Sequence, residues 1–411
     1  MGNTIKNNHP VVEEAIKNFF NKAEKEDFSR VLKGEAEAEA VTLDAKAKNQ
    51  IDFEISPGPQ TRLQLDLLIT FAESKYQPEK LIEFLLYLGQ LTITSGENQL
   101  AIEIHEKIIN LCNDKPGTAD IVANALLSIG EIYSRQAQWE LSTTYLDKAV
   151  QIFQDRHDIK GGIHCENIYG TIEGDQGNLE KAKEHFEKAL KALEGIKDGA
   201  LIGKIEINLG IINNMQGNYD EALSYLKRAL LNFESLRDLK RIAEIKQNLG
   251  MVYTKKKEYS LAISEFDDSI DSSIRSNYLQ NLGITFVSKA FIYTNLKDLD
   301  LADAFSNKAM EIAYRINDKL SIAEVHKIKG IISRNRKNFD AAENSLLSSL
   351  RLNKDLGNQL NLAETSWELG ILYKQKGEIE KANQYLIEAL GYFRKINSKA
   401  DIEDLEKLIR S

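Results

Sequence analysis

The sequence predicts an all-α solenoid of about eight helix-turn-helix repeats, with a C-terminal capping helix and a separate N-terminal segment. The first observation behind this prediction is a small residue that returns about every forty positions along the 411-residue chain. The members of this ladder are Gly89, Gly130, Gly170, Gly210, Gly250, Ala290, Gly330 and Gly370. A fixed period of roughly 20–50 residues indicates stacked repeats.

A second ladder of small residues lies twelve positions after the first. Its members are Ala101, Ser142, Ala182, Ala222, Ala262, Ala302, Ala342 and Ala382. Two helices can cross closely only where large side chains are absent from the crossing point, because a bulky residue there overpacks the contact. We therefore expect each ladder Gly, on the first helix of a repeat, to face the Ala of the second helix.

The apolar pattern within one period predicts two amphipathic helices. In residues 242–270, apolar residues recur every three or four positions, pause at the polar stretch Lys255–Glu258, and then resume. Several first helices are followed by Gly, which suits a left-handed C-terminal cap, as at Gly96, Gly177, Gly217 and Gly377. Each next repeat is preceded by a residue suited to cap a helix N-terminus, as at Asp158, Asp198, Asp238, Asp318 and Asn358.

The chain outside the array divides into three parts. Residues 1–60 form the N-terminal segment, with a helix expected over Pro10–Leu32. Residues 35–49 favour helix by composition, although alternating apolar residues leave a hairpin open, and residues 50–56 favour extended chain. A lead-in helix is expected within 61–78, eight repeats over 79–400, and an amphipathic capping helix at 401–411.

Composition and charge argue against several classes of function. A formal net charge of −9 gives no general attraction to nucleic acid, and no apolar stretch is long enough to cross a bilayer. Cys112 and Cys165 lie in different repeats, which fits the reducing cytoplasm. His157, His164 and His185 lack metal-ligand spacing, and no phosphate-binding or nucleophile motif occurs. We therefore expect no cofactor, no metal and no enzyme activity.

The two ladders, and the aromatic residues three positions after the first one, resemble the tetratricopeptide repeat. The pattern is clearest at residues 208–230 and 367–390. The forty-residue period is similar to a longer-helix branch of that family, seen in bacterial peptide-pheromone receptors, signalling regulators and scaffolds. Lys289 and Lys329 depart from the pattern, because an apolar residue usually precedes the ladder position. They suggest less regular packing in repeats six and seven, or another use of that helix face.

The resemblance implies a right-handed superhelix whose first helices line a concave groove that binds a peptide or a partner's helix. In peptide-binding members of the family an Asn two residues before the ladder Gly holds the ligand backbone. The expected groove residues are Asn208, Asn248, Asn214, Lys255, Asn295, Lys327, Arg334, Asn335, Trp367 and Lys374. This lining would be polar to basic from repeat four onwards, so we expect an extended and acidic partner.

Three hypotheses for function follow from these expectations. The first is a non-catalytic scaffold or adaptor that binds a partner segment in the groove. The second is a peptide-responsive regulatory sensor with the N-terminal segment as its effector arm. The third is a homo-oligomer in which the N-terminal segment docks into a groove of a neighbour or of its own chain.

Overall fold

The structure is a computed structural model that describes residues 10–32, 59–113 and 115–410. Every regular element in these ranges is a helix, which confirms the predicted all-α solenoid. The expectations for residues 35–49 and 50–56 lie outside the described residues.

The helices are numbered here in chain order. They are α1 (Pro10–Phe19), α2 (22–32), α3 (Pro59–Lys75), α4 (Pro78–Thr94), α5 (Asn98–Cys112), α6 (Ala119–Arg135), α7 (Trp139–Asp155), α8 (Ile159–Asp175), α9 (Leu179–Ala192), α10 (Gly199–Gln216), α11 (Tyr219–Leu236), α12 (Leu239–Lys255), α13 (Tyr259–Arg275), α14 (Leu279–Asn295), α15 (Leu299–Arg315), α16 (Lys319–Asn335), α17 (Phe339–Asp355), α18 (Gln359–Lys376), α19 (Ile379–Lys395) and α20 (Lys399–Arg410). The even-numbered helices α4 to α18 are the first helices of the eight repeats. The odd-numbered helices α5 to α19 are the second helices.

The helix expected over Pro10–Leu32 is interrupted at residues 20 and 21. Asn21 is the N-cap residue directly before α2, and its side-chain Oδ1 accepts a hydrogen bond from the Glu24 amide at 3.0 Å. Glu24 Oε2 accepts the Asn21 amide at 2.7 Å. This reciprocal pair is a capping box, which satisfies two amide groups that the first turn of a helix leaves free. The expectation of one continuous helix was therefore wrong.

The described residues form two compact units, which divide between Ile168 and Tyr169. In the first unit, α1, α2 and α3 share one apolar core with the first repeat. Phe20 lies at its centre, with its ring centroid 5.8 Å from that of Phe28, 5.4 Å from Phe71 and 6.0 Å from Phe84. The described part of the N-terminal segment therefore covers an apolar face of the first repeat, as a terminal cap of a repeat array must.

The ladder glycines lie where the two helices of a repeat cross. A Cβ placed on Gly370 would lie 3.2 Å from the Ala382 carbonyl oxygen and 2.5 Å from Leu386 Cδ2. Gly210 and Gly330 meet the equivalent Ala carbonyl and Leu side chain. The ladder Gly thus lies over the backbone of the second ladder, and a large side chain sixteen residues after the Gly fills the space beside it.

The predicted caps between repeats are also present. The side chains of Asp198 and Asp238 each accept an amide hydrogen bond at 3.1 Å from the residue three positions later. Asn358 does the same at 3.0 Å. Gly217 and Gly377 end their helices in the left-handed region, with φ of 83° and 79°. The capping predictions at these positions are confirmed.

Candidate functional site

One face of the first helices repeats through the second unit, and we call it the inner face. It consists of the positions six, three and two before each ladder residue and four and five after it. These positions join neighbouring first helices of the array. Lys327 Nζ of α16 lies 2.5 Å from Glu364 Oε2 of α18, and the Gln247 amide of α12 donates to Ser288 Oγ of α14 at 3.4 Å. The ten groove residues expected from the sequence stand at these positions of their first helices, and their role in binding stays a prediction.

Lys327 is buried between two carboxylates. Its side chain is 6% exposed, and its Nζ lies 2.8 Å from Glu324 Oε2 as well as 2.5 Å from Glu364. Burial raises the pKa of Glu324, even though Lys327 opposes the shift. Burial also acts on Glu364, but Lys327 and Lys255 outweigh it and hold the pKa of Glu364 below its ordinary value. Lys327 is therefore already neutralised within the chain.

Arg334 is buried two turns further along α16 and pairs with Glu368 of α18, 2.6 Å away. Its Nε is buried and has no hydrogen-bond partner among the described residues. Asn214 occupies the same position in repeat four, and its Oδ1 is likewise buried without a partner in the described part of the chain. Unpaired buried polar atoms are costly, so each of these two atoms would be stabilised by a hydrogen-bond partner.

Lys255 and Lys374 both contact α20. Lys255 Nζ lies 3.4 Å from Asp401 Oδ1, and Lys374 Nζ donates to the carbonyl oxygen of Leu408. Desolvation lowers the pKa of Lys255, but the charges of Asp401 and Glu364 outweigh it and raise the pKa. The C-terminal helix therefore contributes to the same polar surface.

The other expected residues differ in their surroundings. Asn208 and Asn248 are half-buried, and Asn295 is exposed. Asn335 Oδ1 accepts a hydrogen bond from Lys297 at 3.3 Å. The Trp367 ring packs edge to face on Phe393 of α19, with centroids 5.7 Å apart. Trp367 thus supports the packing of its own repeat.

The acidic members of the inner face were missed from the sequence. Glu324 and Glu364 stand six residues before their ladder Gly, forty residues apart, and this repetition was the available signal. With Glu368 and Asp401 they place carboxylates beside the cations of this face, whereas the sequence predicted a polar to basic lining. Asp175 was also missed, and desolvation raises its pKa to about 6.

The two lysines that depart from the repeat pattern are accommodated in different ways. Lys289 is buried, its Nζ lies 2.5 Å from Asp267 Oδ1, and the same nitrogen lies 4.7 Å from the centroid of the Phe305 ring. Lys329 is half-buried on α16. At Lys289, an ion pair and an aromatic ring thus replace the apolar packing that is usual before a ladder residue.

Among the described residues, no group of three or more His, Cys, Asp or Glu side chains is arranged to hold a metal ion. Cys112 and Cys165 are buried free thiols. Within residues 10–32, 59–113 and 115–410, no helix has the length and apolar character needed to cross a membrane.

Comparison with known proteins agrees with the repeat pattern. Profiles of the tetratricopeptide repeat match residues 121–195, 164–235, 201–274 and 285–315. No curated protein matches the sequence at a significant level.

Several solved structures share the fold at low sequence identity. A Rap protein complexed with Competence and Sporulation Factor is 11% identical with a TM-score of 0.58, covering 80% of this chain and 96% of that one. The apo quorum sensor NprR from B. thuringiensis is 17% identical with a TM-score of 0.56, covering 93% and 99%. NprR in complex with its cognate peptide NprX is 16% identical with a TM-score of 0.52, covering 68% and 82%.

The repeat profiles, the two ladders and the helix pairs agree on one family. Over residues 121–274 and 285–315 the chain consists of tetratricopeptide repeats, and its fold resembles that of bacterial peptide-receptor regulators.

Proposed function

We propose that this protein is a non-catalytic interaction protein that binds an extended peptide or partner segment along the inner face of repeats four to eight. The observation that carries this proposal is the pair of unpartnered buried atoms at equivalent positions, Asn214 Oδ1 and Arg334 Nε. One is an acceptor and the other a donor, which are the two groups that an extended peptide backbone complements. Two buried free thiols fit a cytoplasmic setting for this binding.

The charge of the lining refines the proposed ligand. Lys327 and Arg334 already have carboxylate partners, so a purely acidic peptide would have to displace Glu364 and Glu368. A ligand that carries both charge signs can exchange with these pairs without leaving a buried charge unpaired, which would be costly. We therefore propose an extended ligand of mixed charge, with the acidic ligand expected from the sequence as the competing outcome.

A random-peptide array probed with the full-length protein tests this function. We expect binding to a subset of peptides and loss of that binding in the variant Asn214→Ala/Arg334→Ala. Asn344→Ala, at an exposed position on α17, is the matched control. Peptide binding that is unchanged in a folded double variant would contradict the inner-face assignment, and a preference for acidic peptides would contradict the mixed-charge ligand.

A second candidate function is a peptide-responsive sensor, which the fold similarity to the NprR–NprX and Rap complexes favours. In a sensor, the bound peptide must alter the shape of the array. Small-angle X-ray scattering with a peptide selected from the array separates the two functions. A ligand-dependent change in radius of gyration supports the sensor, and an unchanged radius supports a static adaptor.

A further inference from the structure

The second unit closes on itself through contacts between residues that are far apart in sequence. Lys395 Nζ, at the end of α19, lies 2.5 Å from the carbonyl oxygen of Gln176, although 219 residues separate them. Beside this contact, a Cβ on Gly177 would lie 3.3 Å from Ile396 Cγ2. The turn after α8 is therefore seated against the turn between α19 and α20.

A second closing contact joins the end of α12 to the beginning of α20. Lys255 and Asp401 are 3.4 Å apart and 146 residues distant in sequence. Their side chains are 36% and 20% exposed, so the pair is reached by solvent. We call these three contacts, between Lys395 and Gln176, Ile396 and Gly177, and Lys255 and Asp401, the clasp.

The clasp differs in chemistry from the contacts within the repeats. Repeats are held by continuous apolar packing, such as the cluster around Leu226, Phe233 and Leu249. The clasp has a charged hydrogen bond, a partly exposed ion pair and one Ile side chain against a glycine. Ion pairs that solvent reaches contribute little free energy and are screened by salt. Opening the clasp would leave the apolar packing within each repeat in place.

We propose that the clasp is an autoinhibitory contact that holds the array of residues 169–410 closed and limits access to its inner face. The ligand side of this proposal rests on the proposed function. The closure itself does not, because it involves only contacts within the chain.

Thiol accessibility in the full-length protein tests the clasp without a ligand. Asn248→Cys places a reporter on the inner face of α12, and the probe is a maleimide carried on polyethylene glycol. The clasp variant adds Lys255→Ala/Lys395→Ala to the reporter. The control adds Lys256→Ala/Lys381→Ala, which removes the same charge from ion pairs with Asp220 and Glu378 outside the clasp. The protein without the reporter measures labelling of the two buried native cysteines.

We expect the clasp variant to label about tenfold faster than the reporter protein, since two weak polar contacts together shift an equilibrium by roughly that factor. The control should label at the parent rate, and salt should speed the parent but not the clasp variant. Equal rates in the clasp variant and the parent, with matching circular dichroism and thermal unfolding, would overturn the proposal. Because no peptide is used, this result is independent of the array experiment that tests the proposed function.

Discussion

Lys327 Nζ of α16 lies 2.5 Å from Glu364 Oε2 of α18, so a buried ion pair joins the first helices of repeats seven and eight. The same nitrogen also contacts Glu324 of its own helix. This arrangement decides how the inner face responds to substitution, because removing the cation leaves two carboxylates in a partly desolvated place.

Replacing Lys327 with Met is expected to destabilise the fold by about 2 kcal/mol at pH 8. Breaking a buried pair costs about 3–5 kcal/mol, and the partial exposure of the two glutamates reduces this. The unpaired carboxyls would have raised pKa values in the folded state, so the loss should shrink as the pH falls and they become protonated. Urea unfolding at pH 8 and pH 5 measures both effects. The variant Lys327→Met/Glu324→Gln/Glu364→Gln should recover much of the stability, and a failure to recover it would contradict the ion-pair explanation.

Repeat six differs from the other repeats at two positions that face each other, Ala290 and Ser306. The larger ladder residue is matched by a smaller opposing side chain. In repeats such as the fourth and seventh, a ladder Gly is opposed by Leu226 or Leu346 sixteen residues later, whereas repeat six has Ala290 with Ser306, both buried. Ser306→Leu alone should cost about 1–3 kcal/mol by overpacking. Ala290→Gly together with Ser306→Leu should be more stable than the sum of the single changes. A thermal-unfolding double-mutant cycle with zero coupling would show that the two positions are independent.

The buried ring of His105 is expected to make the stability of the first repeat sensitive to acid. Its ring is buried against Gly89, and its Nδ1 lies 2.7 Å from the Ala101 carbonyl oxygen. Desolvation lowers the pKa of His105 in the folded protein despite this hydrogen bond. The unfolded state therefore binds the proton more readily, and stability should fall as the pH drops below about 6.5 towards the lowered pKa.

His105→Leu should reduce this loss, because Leu occupies the equivalent position in repeats two and four. Thermal unfolding between pH 5 and pH 7.5 is the measurement. His157→Asn, at an exposed turn, is the control and should retain the parent pH dependence. If His105→Leu also retained it, the acid sensitivity would have to come from another group.

Replacing Lys257 with Gly is expected to stabilise the folded protein. It ends the turn after α12 with φ of 61°, where other repeats have Gly217 or Gly377. A side chain in the left-handed region costs about 1–2 kcal/mol relative to the right-handed region, and Gly avoids this cost while losing some entropy on folding. Lys257→Gly should therefore raise stability by about 0.5 kcal/mol. Lys257→Ala keeps the strain, and equal urea midpoints for the two variants would contradict the backbone explanation.

The ladder spacing defines the positions of the inner face, and the binding role of the ten expected residues stays a prediction. The sequence pattern did not show that Glu364 would neutralise Lys327 or that Glu368 would neutralise Arg334. The two members of each pair lie in different repeats. The break before α2 was missed for another reason. The Asn21–Glu24 capping box lies inside a run that also has a helical apolar pattern.

The sequence by itself determined the repeats, their helices and most of their caps, because each depends on residues within about one period and on the local demands of helix ends and crossings. Only the tertiary structure decided which charges meet across the inner face, and that Lys395 reaches Gln176 while Lys255 reaches Asp401. Those contacts depend on the rotation between successive repeats. Small packing differences add up over several repeats, and no single period of the sequence encodes their sum.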